Sequence, residues 1–229
     1  MKRKNNLTEI VNGYQFDQKS RKMNMYNKKI KLKYLINATD NDASTINQGS
    51  NKNASIDISS GNLKMEAQDY LGAINDYTEL INQDKNNADA YFNRAVVKEK
   101  IKDYRSAIDD YTEAIKLDDK DVNAYINRGI IYYDLKNYQK AMDDYNTAIE
   151  YDSNNVKAYF NIALVKEDTG DYHGAIECYD KVIEVDSNYT VAYINRRLIL
   201  DKLHDHKRML DDFYEENCID DNYDEVGVS

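Results

Sequence analysis

The sequence predicts an all-α fold, a right-handed superhelical solenoid of antiparallel helix pairs about five pairs long. Three observations predict it. A residue pattern recurs every 34 positions, without insertion, from about residue 54 to residue 223. Within each period, small and apolar residues fall at helical spacing in two stripes, with a tight polar turn between them. The 229-residue chain also contains no Pro, which suits helices whose interiors Pro would break.

Charge divides the chain before the repeats begin. Residues 1–53 carry a net +7 and residues 54–229 a net −17, within a total of −10. Residues 1–36 therefore read as a basic arm. Its segment Lys28-Lys29-Ile30-Lys31-Leu32-Lys33-Tyr34 alternates charged and apolar groups like an exposed strand, while Met23, Tyr26 and Ile30 alternatively mark a short helix. The arm is a solubilising extension, or it contacts an anionic membrane surface, nucleic acid or the acidic body. Residues 37–58, rich in Asn, Ser, Asp and Thr, read as a flexible linker. No apolar stretch follows the basic start and none approaches membrane-spanning length, so a cytoplasmic protein is expected. Two Cys cannot staple a small secreted fold.

The repeats occupy 59–219, in windows 54–87, 88–121, 122–155, 156–189 and 190–223. Ala90-Tyr91-Phe92-Asn93 in the first helix returns as Ala124-Tyr125-Ile126-Asn127, Ala158-Tyr159-Phe160-Asn161 and Ala192-Tyr193-Ile194-Asn195. In the second helix, Tyr104, Ala107 and Tyr111 recur as Tyr138, Ala141 and Tyr145, and as Tyr172, Ala175 and Tyr179. One period earlier stand Tyr70, Ala73 and Tyr77. Lys102-Asp103, Lys136-Asn137 and Gly170-Asp171 form the turns within pairs. The end windows are degenerate, as capping repeats should be. The first helix of the first window is expected to start near Ser59–Asn62. The second helix of the last window is expected over about His206–Asn217. Residues 220–229 read as an acidic disordered tail. Leu, Ile, Val and Phe make up only about a fifth of the chain, close to a disordered composition. The 21 Tyr supply the missing core, since 12 of them sit in three repeating columns.

These columns resemble the tetratricopeptide repeat over roughly 54–220. The match rests on the first-helix aromatic, the small residue four further on (Gly61, Ala95, Gly129, Ala163), and the Tyr, Ala and Tyr of the second helix. The family usually places Pro near each repeat's end, where this chain has Lys85, Asp119, Ser153 and Ser187. The resemblance implies a non-enzymatic scaffold or adaptor whose first helices line a concave groove for an extended peptide or partner helix. It also raises a chaperone-linked adaptor. The cationic carboxylate clamp of such co-chaperones is not expected, because Ile58, Asn123 and Asn127 stand where Lys, Lys and Arg belong.

The candidate groove residues are Asn93, Asn127, Asn161 and Asn195, with Phe92, Ile126, Phe160, Ile194, Val96, Ile130, Leu164 and Leu198 beside them. A side-chain amide both donates and accepts, so the Asn column suits a peptide backbone, or it bonds neighbouring helices. The apolar column suits a partner's side chains, or it packs between repeats. Glu99, Asp134, Glu167 and Asp168 rim the groove and favour a partner of some basic character, or they are a solvated face.

A second set is structural. Arg94, Arg128 and Arg196 precede Asp110, Asp144 and Asp212 by 16 residues each, and the members of each pair lie equidistant from their turn. Ion pairs are expected there, with an apolar Ile162–Cys178 contact in the fourth window and a break at Ser60 and Asp76 in the first. His173, His204 and His206 complete no metal set. No phosphate-binding Gly loop is present. No catalytic residue, metal, cofactor or small-molecule substrate is therefore expected.

Overall fold

The computed structural model describes residues 57–205 and 207–215. The arm, the linker up to residue 56, His206 and everything beyond 215 lie outside the described residues. So do the membrane-surface, nucleic-acid and tail readings attached to them. Within the described residues lie ten helical segments. They are α1 (Ile58–Glu66), α2 (Tyr70–Gln83), α3 (Ala88–Lys100), α4 (Tyr104–Leu117), α5 (Val122–Asp134), α6 (Tyr138–Tyr151), α7 (Val156–Thr169), α8 (Tyr172–Val185), α9 (Thr190–Lys202) and α10 (residues 207–215). They pack as sequential antiparallel pairs, a first helix mainly on its own second helix and then on the second helix of the preceding pair. The fold is thus all-α with about five repeats. Helix α1 starts at Ile58, inside the expected linker, because the Asp57 carboxylate accepts from the Ser60 N–H at 3.1 Å and caps it.

One device closes every pair. Gln68, Lys102, Lys136, Gly170 and His204, 34 residues apart, all adopt positive φ between 59° and 87°. At each, a backbone N–H reaches back over the helix end, as in Asp103 N–H to Lys98 C=O at 2.9 Å and Asn137 N–H to Tyr132 C=O at 2.8 Å. Of the five, only Gly170 pays no Cβ penalty there. The next residue caps the second helix. Asp69 accepts from Gly72 N–H, Asp103 from Ser106 N–H, Asn137 from Lys140 N–H and Asp171 from Gly174 N–H, at 3.0–3.4 Å.

The turns between repeats manage without Pro. Asp84, Asp118, Asp152 and Asp186 each stop a second helix and accept from the backbone N–H two residues on, at 2.9–3.2 Å. This side-chain turn fixes the local bend that Pro's fixed φ would otherwise fix. Asn87, Asp121 and Asn155 then cap the next first helix. Tyr189 occupies that position before α9, which has no side-chain cap bond.

The core runs as a file between the helix layers. Tyr77, Tyr111, Tyr145 and Tyr179 are fully buried, together with Ala73, Ala107, Ala141 and Ala175. The two helices of a pair approach closely at Gly61 and Gly129. A Cβ there would lie 2.5 Å from Tyr77 Cε1 and 2.6 Å from Tyr145 Cε1.

Candidate functional site

The guanidinium column lies between the two helix layers. Arg94 Nε and Nη2 donate to the two Asp110 carboxylate oxygens, each at 2.8 Å. Arg128 does the same to Asp144 at 2.9 and 2.7 Å. Arg196 grips Asp212 in the same two-pronged way. Two parallel bonds fix orientation as well as distance. Burial pushes the Asp144 carboxyl up despite the pull of Arg128. The first repeat does not break the pattern. The Ser60 hydroxyl and Lys64 ammonium each reach Asp76 at 2.7 Å and hold its carboxyl below the usual range. In the fourth repeat the facing positions hold buried Ile162 and half-buried Cys178.

A third member of this column escaped the sequence reading. The remaining Arg nitrogen reaches back 16 residues into the preceding repeat. Arg94 Nη1 donates to Thr78 Oγ1 and Arg128 Nη1 to Thr112 Oγ1, both at 3.0 Å, and Arg196 Nη1 donates to Asp180. The signal was available, because Thr78, Thr112 and Asp180 occupy one 34-residue column that holds Asn146 only where Arg gives way to Ile162.

The Asn column bonds within the solenoid. Asn195 Nδ2 donates to Tyr179 Oη at 3.2 Å. Asn161 Nδ2 donates to the Lys157 carbonyl at 2.9 Å. Asn127, Asn161 and Asn195 are buried and Asn93 is half-buried. The apolar column divides in the same way. Ile126, Ile130, Phe160 and Leu164 are buried, while Phe92 and Val96 on α3 and Ile194 and Leu198 on α9 are half-buried. Among the candidates, solvent therefore reaches the two ends of the first-helix face better than its centre.

The acidic row runs along the same helices. Tyr111 Oη donates to Glu99 at 3.0 Å. Burial nevertheless pushes the Glu99 carboxyl up to about 7, outweighing that hydrogen bond and nearby Lys100, with Asp134 adding to the rise. Burial likewise raises Asp134. Asp168 accepts from Tyr133 Oη at 2.7 Å and Tyr138 Oη at 3.3 Å, and Lys136 Nζ lies 3.6 Å away. Tyr179 Oη lies 3.5 Å from Glu167.

Among the described residues, no group of three His, Cys, Asp or Glu side chains is placed to hold a metal ion. None of the described helices is long and apolar enough to cross a membrane.

Stacked helix pairs with small-residue and Tyr columns between them define a helical-repeat protein. Tetratricopeptide repeat models match residues 88–121, 122–155 and 156–189, and a TPR repeat model matches 61–102. Together they span more than half of the chain, which belongs to the tetratricopeptide repeat family. Such proteins are typically non-catalytic and bind other proteins. No curated protein matches the sequence. Solved structures do match in fold. A crystal structure of MamA has 23% identity and a TM-score of 0.69, covering 75% of this chain and 99% of that one. MamA from Desulfovibrio magneticus RS-1 has 15% identity and a TM-score of 0.65, covering 71% and 92%. YrrB, described as a TPR protein with an unusual peptide-binding site, has 19% identity and a TM-score of 0.58, covering 69% and 82%. At these identities the likeness is one of fold.

Proposed function

We propose that the chain is a non-enzymatic cytoplasmic scaffold whose first-helix face takes an extended peptide or partner helix of basic character. The observation that carries this reading is Glu99. Its carboxyl sits on that face, half-buried, with a pKa near 7 and another carboxylate, Asp134, close by. A Lys or Arg side chain placed there would let Glu99 ionise, and the partner would gain a charge-assisted bond in a poorly solvated setting. The half-buried Phe92 and Val96 beside it offer apolar contact, and half-buried Asn93 offers an amide to a main chain. Membership of a protein-binding family supports this reading, as does the peptide-binding site named for the similarly folded YrrB.

The test is titration of the full chain with labelled Lys/Arg-rich peptides and their Asp/Glu counterparts. The basic peptides are expected to bind, and Glu99→Gln is expected to weaken them roughly tenfold with helicity unchanged. Equal affinity of the variant overturns the role of Glu99. Preferential capture of peptides ending in acidic residues supports a chaperone-linked adaptor instead. Loss of binding only on deletion of residues 1–53 supports a tether acting through the arm.

A further inference from the structure

We infer that the solenoid has a built-in hinge between its third repeat (α5, α6) and its fourth (α7, α8). Two kinds of cross-repeat bond are found at other junctions, and both are missing at this one. The first is the backward reach of Arg to Thr78, Thr112 or Asp180, present at the first/second, second/third and fourth/fifth junctions. At the third/fourth junction Ile162 stands in place of Arg and Asn146 in place of Thr. The second is the bond between a second-helix Tyr and the Asn 16 residues on. It joins Tyr179 to Asn195 at the fourth/fifth junction. At the third/fourth junction Asn161 turns to its own helix, donating to the Lys157 carbonyl, and the buried Tyr145 hydroxyl has no hydrogen-bond partner.

The polar bonds described across this junction instead converge on one carboxylate. Tyr133 and Tyr138 hydroxyls and the Lys136 ammonium, all from the third repeat, meet Asp168 of the fourth near the turn end of the helices. The junction is thus pinned at one edge, while mid-helix the buried, apolar Ile162 stands where the other junctions have Arg. A directional guanidinium bond across a junction restrains its angle, whereas apolar surfaces can slide with little change in buried area. Rotation about Asp168 changes the angle between repeats one to three and repeats four and five. Phe92, Asn93 and Val96 lie on one side of this pivot, and Ile194 and Leu198 lie on the other. Their spacing then follows the hinge angle.

Asp109, Asp143, Glu177 and Asp211 are exposed and 34 residues apart, so they make an equivalent ruler on the second helices. Nitroxides can be attached through encoded ketone residues at pairs of these positions, leaving both Cys in place. Pulsed electron-resonance distances in the full chain then read each junction. The 143–177 distribution is expected to be roughly twofold broader than the 109–143 and 177–211 distributions. Equal widths across all three junctions overturn the hinge. A triple substitution, Asn146→Thr, Ile162→Arg and Cys178→Asp, restores the column. It is expected to narrow the 143–177 distribution to match 109–143. A folded triple variant with unchanged width shows that the broken column does not set the angle. If that variant does not fold, the three widths in the unaltered chain still decide.

Discussion

Four buried tyrosines in one column meet four different fates, and the residues around each explain why. Tyr77 donates to Asn62 at 2.5 Å, Tyr111 to Glu99 at 3.0 Å, and Tyr179 has Glu167 and Asn195 within reach. Tyr145 sits over Gly129 as Tyr77 sits over Gly61, but Ile130 replaces Asn62 and Tyr133 replaces the acid in the Glu99 column. Its hydroxyl is stranded. Because an unmet hydroxyl costs its desolvation, Tyr145→Phe is expected to be neutral or stabilising in chemical denaturation. Tyr111→Phe is expected to cost about 1 kcal/mol. Gly129→Ala should cost about 1–3 kcal/mol, since the added methyl overlaps the Tyr145 ring. Glu99 sets a pH dependence. Its folded pKa near 7 lies above the ordinary 4.5, so folding favours the protonated form. This contribution is full below about pH 4.5 and is lost as pH rises through 7, with a slope of at most about 1.4 kcal/mol per pH unit. Glu99→Gln is expected to remove that slope between pH 5 and 8 in urea melts.

At the scale of the element, the turns within pairs hold an avoidable cost. Lys102 adopts φ 64° with a Cβ, where Gly would sit without strain. Lys102→Gly is therefore expected to raise stability by about 0.5–1 kcal/mol, and Asp103→Ala to lower it by about 1 kcal/mol through the lost cap of α4. Thermal melts of the two variants should move in opposite directions. The helix pairs were legible in the sequence because the 34-residue columns run without a gap and Tyr, Ala and Asx each recur for one reason. That Arg94 faces Asp110 was legible too, because residues equidistant from a turn meet across a hairpin. The reach of Arg94 to Thr78 was harder to see, since it depends on how one repeat stacks on the last. The contact of Lys64 with Asp76 belongs to a column of its own, since Lys98 one period on makes the same contact with Asp110 beside Arg94. Helix α1 starts one residue before the expected Ser59 because Asp57 caps it at Ile58.

Across the whole molecule, the sequence averages conceal a division of labour. Tyr and Ala make the core that Leu and Phe are too few to make. Most acids lie outside that core, in caps, turns and the row on the first helices. The extent of the binding face was only partly legible. Periodicity placed Asn127, Asn161, Ile126, Phe160, Ile130 and Leu164 in one stripe, but it does not distinguish a stripe open to solvent from one closed over. Those six are buried, and the accessible members cluster on α3 and α9. The account centres on an acidic first-helix face that takes a basic partner. Calorimetric titration of the full chain with one Lys/Arg-rich, His-free peptide at pH 6 and pH 8 tests this most directly. Binding is expected to be tighter at pH 8, as Glu99 ionises and meets a cation, and that difference is expected to vanish in Glu99→Gln. An affinity that is flat or falls between pH 6 and pH 8 would contradict it.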